Sequence, residues 1–279
     1  MRRFLPPLLI TLALVGLFAG VGAFVLGGEF TDEIDSYNDR VTDYVLDEVE
    51  FDEDFGEVVV YDVLEDGSLE PAPEGVTADV WDLWIRLIGP DAAATSISQF
   101  RAGDSDTSDT LAYVYQDTNP QFFTLAVNLA TADDEQLMVA TLVHEYAHVF
   151  SFGPDEFDRK AESCETFETI EGCAEPTSYL YAFYDAFWAD YTDRPDLENV
   201  DPDIAWEFYL AHEEDFVSDY AATNLGEDFA ESFMTFVIEE DWSPDTPTGA
   251  KLEFFMQYPE LVDLREQMRA GAAEELGLT

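Results

Sequence analysis

Apolar residues recur along this chain at two spacings, and the change from one to the other divides it. In the first half, "GEVVVYDVLEDG" (56–67) alternates and ends in a turn, which predicts a strand. "TLAYVYQD" (110–117) and "QFFTLAVNLA" (121–130) predict two more. Between them "EPAPEG" (70–75) is a loop, and "ADVWDLWIRLIGP" (78–90) is a short amphipathic helix stopped by Gly89 and Pro90. Ahead of all these, "DEIDSYNDRVTDYVLDEVEF" (32–51) places Ile34, Tyr37, Val41, Tyr44 and Val45 at helical spacing.

From Thr131 onward helical spacing dominates. "DDEQLMVATLVHEYAHVF" (133–150) opens with three acids suited to a helix N-terminus, and its apolar positions wrap most of the way round, as in a buried helix. "SYLYAFYDAFWADY" (178–191) stacks Tyr179, Phe183, Phe187 and Tyr191 at four-residue intervals, a stripe read as core in preference to a substrate groove. The pattern predicts an α+β fold, with a mixed sheet-and-helix N-terminal part and a helical C-terminal part. No internal repeat or low-complexity segment interrupts it.

Residues 1–28 follow a different rule. After Arg2 and Arg3, no charge occurs from Phe4 to Gly28, a length that as a helix crosses a bilayer core of about 30 Å. The stretch reads as a signal anchor, with the arginines cytoplasmic, or as a cleaved signal peptide with Val21 and Ala23 before the cut. Either way residues 29–279 form the exported domain, on the extracellular face of the membrane or secreted. The membrane is then a partner through this segment alone.

Charge sharpens that picture. Past residue 28, nine basic residues face 62 acids spread through the whole remainder, and the full chain carries a formal −51. Such a surface repels nucleic acid and anionic headgroups and suits a salty or exterior setting. Cys164 and Cys173, the only cysteines, stand nine apart in "CETFETIEGC". In an oxidising exterior a bridge between them contributes about 2–3 kcal/mol. Free buried thiols and a Cys2His2 zinc site are the other readings, the last with too wide a spacing for a usual clasp.

Two of the chain's three histidines lie in "TLVHEYAHVF" (141–150). On a helix, His144 and His148 share a face with β-carbons about 5–6 Å apart, as two ligands of one zinc ion require. Glu145 is placed to act as a base. A third ligand is offered by "DFVSDYAATNLGEDFAESFMTFV" (215–237), where Glu227 and Glu231 stand four apart at the start of an amphipathic helix. Glu227 completes a His, His, Glu set that leaves a fourth position for water. Glu231, one turn on, is placed to accept the far N–H of a ligating histidine, and Tyr220 lies seven residues before Glu227. The competing reading of Glu227 is a helix N-terminal acid held by the macrodipole, worth about 0.3–1 kcal/mol. His212, in "AHEEDF", reads as an exposed histidine amid acids, and "DSDTSD" (104–109) as a solvated loop lacking the glycine and distal Glu of a calcium loop.

"HEYAH" and "SDYAATNLGEDFAESF", together with the strand "FTLAVNLA", resemble the gluzincin metallopeptidases, and within them the group containing anthrax lethal factor and the bacterial Pro-Pro endopeptidases. The resemblance covers about a quarter of the chain. It implies a zincin-like fold, zinc held by His144, His148 and Glu227, Glu145 as base, Tyr220 as transition-state donor and Glu231 behind a ligand. It implies hydrolysis of peptide bonds in a peptide or protein substrate through a zinc-activated water. Substrate preference is not carried over, and nothing in the sequence sets the oligomeric state. An edge strand near Ala126 to Leu129 is expected to hold substrate by strand addition. The alternative function is a non-catalytic, zinc-stabilised extracellular binding domain with an acidic surface. A serine or cysteine hydrolase lacks a histidine for its base, His212 excepted.

Overall fold

The computed structural model describes residues 49–278; the candidate anchor over 1–28 and most of the helix expected over 32–51 lie outside them. The last residues of that helix are corrected, since Val49–Asp52 is a strand, β1. It is followed by β2 (Gly56–Val63), the short β3 (Leu69–Glu70), α1 (Val76–Ile88) and α2 (Pro90–Ser96). Then come β4 (Ile97–Gly103), β5 (Ala112–Gln116), β6 (Phe123–Asn128) and α3 (Glu135–Ser151).

The main sheet has the order β1-β2-β4-β6-β5, with β3 paired to β2. β4 and β6 run parallel, whereas β5 is antiparallel to β6. All six positions of β6 are buried, as a strand flanked on both sides and covered on both faces requires. The expected edge strand at Ala126–Leu129 is therefore corrected: β6 is interior and the edge belongs to β5. One face of the sheet packs through Phe100, Leu125 and Val127 into the main core with Trp84 and Leu87 of α1 and Val139 and Val143 of α3. The other carries a small cluster of Phe55, Val58, Val60 and Ala126.

The C-terminal part is mainly helical, but a three-stranded sheet of order β7-β9-β8 interrupts it: β7 (Phe157–Asp158), β8 (Glu168–Thr169) and β9 (Gly172–Ala174). The tight β8–β9 turn needs Gly172, whose φ is 129° and whose missing Cβ would sit 2.7 Å from the Asp158 carbonyl oxygen. Cys164 and Cys173 are disulfide-bonded across this hairpin, with Cα atoms 5.5 Å apart. Helices α4 (Tyr179–Phe187), α5 (Pro202–Ala211), α6 (Leu225–Ile238), α7 (Pro247–Phe255) and α8 (Pro259–Gly271) complete the fold. The aromatic stripe is core: Leu180, Phe183 and Trp188 are buried, and Tyr179, Phe187 and Tyr191 pack around them.

Three ties position the later helices. α6 lies along α3 and packs with α4 and α7 on its other sides. Behind it, fully buried Asp228 accepts from Lys251 Nζ of α7 at 2.6 Å and from the Trp188 indole at 2.8 Å, and Lys251 sits 4.1 Å above the Phe216 ring. α8 returns to α1, where Gly271 permits close approach; a Cβ there would lie 2.2 Å from the Arg86 carbonyl oxygen. Among the described residues no helix is long and apolar enough to cross a membrane.

Candidate metal centre

α3 starts where Asp134 caps the Leu137 N–H, and it carries His144 and His148 one turn apart on the side facing α6. α6 starts where the Asn224 side chain accepts from Glu227 N at 2.9 Å, which fixes Glu227 in the first turn, aimed at the histidines. His144 Nε2 lies 3.1 Å from Glu227 Oε2 and 3.0 Å from His148 Nε2, and His148 Nε2 lies 3.3 Å from Glu227 Oε2. Among the described residues, this is the group of His, Cys, Asp and Glu side chains able to gather round one ion. All three expected ligands are thus brought together.

The donor chemistry tests whether a metal fits. His144 Nδ1 donates to Glu231 Oε1 at 2.9 Å, and Glu231 Oε2 accepts from Ser218 Oγ at 2.6 Å. With one proton kept on Nδ1, His144 that gives up its Nε2 proton turns a lone pair toward a second imidazole nitrogen and a carboxylate oxygen. Three donor atoms converging on one point need a cation between them, and without a metal the His144 proton fills that role toward Glu227. Bonds of about 2.0–2.1 Å to a tetrahedral zinc set nitrogen donors about 3.3–3.4 Å apart, close to the spacings found here. The set fits a divalent metal with a nitrogen-and-oxygen preference; its identity as zinc is taken up below.

The electrostatics describe the centre without metal. Burial opposes charge on His144, but the Glu227 and Glu231 carboxylates outweigh it and hold the pKa well above 6.5. For Glu227, burial is outweighed by His148 and His144, which hold the carboxyl below its usual range. Burial raises Glu145, although the neighbouring histidines offset part of the effect. This carboxylate is 4 % exposed and takes a hydrogen bond from the Val114 main-chain N–H of β5. Tyr220 stands beside His144, ring centroids 5.9 Å apart, and hydrogen-bonds Glu227. Burial and the Glu227 charge push its phenol well up, so it remains a donor at neutral pH.

Around these groups opens a cleft of about 1380 Å³, walled by β5, the β8–β9 hairpin and the segment leading into α5. Ser218 was not anticipated. Its hydroxyl also accepts from Ala221 N at 3.1 Å, tying the turn that carries Tyr220 to the carboxylate behind His144. Its signal is a serine three residues ahead of the N–H it caps. His212 lies apart from the centre, half-buried against Tyr191 and Phe208 and paired with Asp193 at 3.1 Å. The 104–109 loop is held by Ser105 N donating to Asn128 at 3.0 Å. In comparisons with known proteins, no family model, no curated protein and no solved structure matches this chain.

Proposed function

We propose that this protein is a zinc-dependent peptidase of gluzincin type with a zincin-like fold, in which His144, His148 and Glu227 hold the metal. The observation that carries the reading is the convergence of those three donor groups beside the buried Glu145 carboxylate in a cleft walled by an edge strand. Bound zinc supplies a Lewis acid that polarises the scissile carbonyl and acidifies water.

The chain's own residues do the rest. Glu145 accepts the proton that the attacking water loses as its oxygen bonds to the carbonyl carbon. It then delivers that proton to the leaving nitrogen as the C–N bond breaks. Burial, which lifts its pKa, suits one carboxyl to both duties. Tyr220 donates to the developing oxyanion. Glu231 holds the His144 Nδ1 proton, so the opposite lone pair stays aimed at the metal. Substrate main chain is taken up along β5 by strand addition, beside the Val114 N–H. The disulfide supports an exported domain, since such bonds persist in oxidising compartments.

The test loads the full chain with zinc and offers it a mixed peptide library, with Glu145→Gln in parallel. Cleavage should fall about 10²–10⁴-fold in the variant, the usual contribution of a general base, while zinc stays bound. A folded, zinc-loaded wild type that leaves every peptide intact refutes the peptidase.

A further inference from the structure

The walls of the cleft carry information on what it holds, if the peptidase reading on which this inference rests is right. Nine of its 34 lining residues are Asp or Glu, close to the proportion of 62 in 279 for the whole chain. Acidity is thus a property of the entire surface and does not distinguish the cleft. Exposed apolar groups do. Of the eleven large hydrophobic residues left exposed among the described residues, Phe51, Ile170, Val200 and Trp206 line this one cleft. The cleft takes only 34 of the 230 described residues, so four of eleven is a concentration.

Three of the four come from two segments that are tied together. Ile170 is at the β8–β9 turn, and its N–H donates to Glu198 at 2.8 Å, which ties the hairpin tip to the segment bearing Val200 and leading to Trp206. Phe167, Leu180 and Leu197 add less exposed apolar surface to the same cleft. Across the cleft runs the free edge of β5. A peptide added to that edge points every second side chain the same way, about 7 Å apart, so one set meets the apolar wall.

We propose that the cleft takes an extended, uncharged polypeptide segment whose alternate side chains are aromatic or branched aliphatic. Such a sequence is buried in a folded protein, so the substrate class is unfolded or unstructured chain. Acidic side chains are excluded by the surrounding carboxylates. A cationic segment is the competing occupant, and salt separates the two. Attraction between charges weakens as ions screen it, whereas kosmotropic salt strengthens apolar burial.

The full chain carrying Glu145→Gln, loaded with zinc, is titrated with two dye-labelled short peptides and followed by anisotropy. One alternates Leu or Phe with Ser or Gly and has no charge; the other has Lys at the apolar positions. The uncharged peptide should bind, and bind more tightly when sodium sulfate is added. Trp206→Ser and Ile170→Ser, both at exposed positions, should each weaken it about tenfold, as removal of an apolar anchor does. Failure of the uncharged peptide to bind, indifference to both substitutions, or preference for the Lys peptide with release by sulfate overturns the proposal. Incubation of both peptides with wild type separates it from the parent reading. Cleavage confined to the Lys peptide keeps the peptidase and removes the apolar occupant; binding without any cleavage keeps the apolar groove and removes the peptidase.

Discussion

Glu231→Gln removes a group that never touches the proposed metal, and its effect can be worked out in advance. The carboxylate is 1 % exposed and accepts two hydrogen bonds, from His144 Nδ1 at 2.9 Å and from Ser218 Oγ at 2.6 Å. Gln keeps the shape but has only one accepting oxygen, so one of the two donors faces an NH2. If the amide serves Ser218, His144 loses the partner that holds its tautomer and ring angle. Loss of such a partner lowers metal affinity about 10–100-fold, or about 1.4–2.7 kcal/mol. At free zinc of about 100 times the wild-type Kd, binding stabilises the wild type by about 2.7 kcal/mol, and the variant by about 1.4 to 0.4 kcal/mol. For a domain of this size the zinc-induced rise in Tm then falls from about 5–11 °C to about 1–6 °C. Thermal unfolding with and without zinc reads this directly, and chelator competition gives the Kd independently. Because each protein is its own reference, a change in intrinsic stability cancels. Glu231→Ala leaves no oxygen for either donor, and a folded Glu231→Ala protein whose zinc affinity equals that of wild type refutes the assigned orientation of His144.

Three further outcomes follow from the same geometry. Tyr220→Phe should lower kcat about 10²–10³-fold with KM little changed, as loss of one oxyanion donor does, and equal losses of kcat and KM would place the phenol elsewhere. The metal-free site is pH-sensitive: raised His144 contributes stability fully present below pH 6.5 and lost as pH rises through its folded value, while depressed Glu227 contributes stability present above 4.5 and lost as pH falls through its folded value. Zinc must displace the His144 proton, so its stabilising effect should grow from pH 6 to pH 8, about neutrality; equal Tm shifts at both pH values contradict that linkage. Reduction of Cys164–Cys173, which closes a short loop, should cost about 2–3 kcal/mol in a denaturant titration, and no change in midpoint would show the hairpin to be held without it.

The candidate metal centre is legible because its parts are local. His144 and His148 are one helical turn apart, and Glu227 and Glu231 repeat that interval on the next suitable amphipathic helix, so each pair announces its own face. What could not be read is how strands are ordered. "FTLAVN" is expected at an edge, yet it is buried at every position, with apolar side chains on both faces and its polar Thr124 and Asn128 bonded to Asp117 and the Thr110 carbonyl. β4 shows no strand pattern in the sequence because a register shift between Ile97 and Gln99 breaks its alternation, leaving Ile97 and Phe100 buried three apart. The strands of the small sheet, two or three residues long, are too short for any period to show. Its effect on the site is nevertheless large, since it supplies one wall of the cleft.

The Asp228–Lys251 pair constrains how this protein can change. Burial disfavours the charged form of each partner, and each tolerates its place only because the other is there. Losing either one alone strands a charge in the core next to Glu227 of the candidate metal centre, at a cost of about 3–5 kcal/mol against a typical total of 5–15. A joint replacement by apolar residues of matching shape is close to neutral by the same reasoning. The two positions are therefore linked by epistasis: the charged and the apolar versions of this core are both viable, but every single-step route between them crosses a variant less stable by about 3–5 kcal/mol.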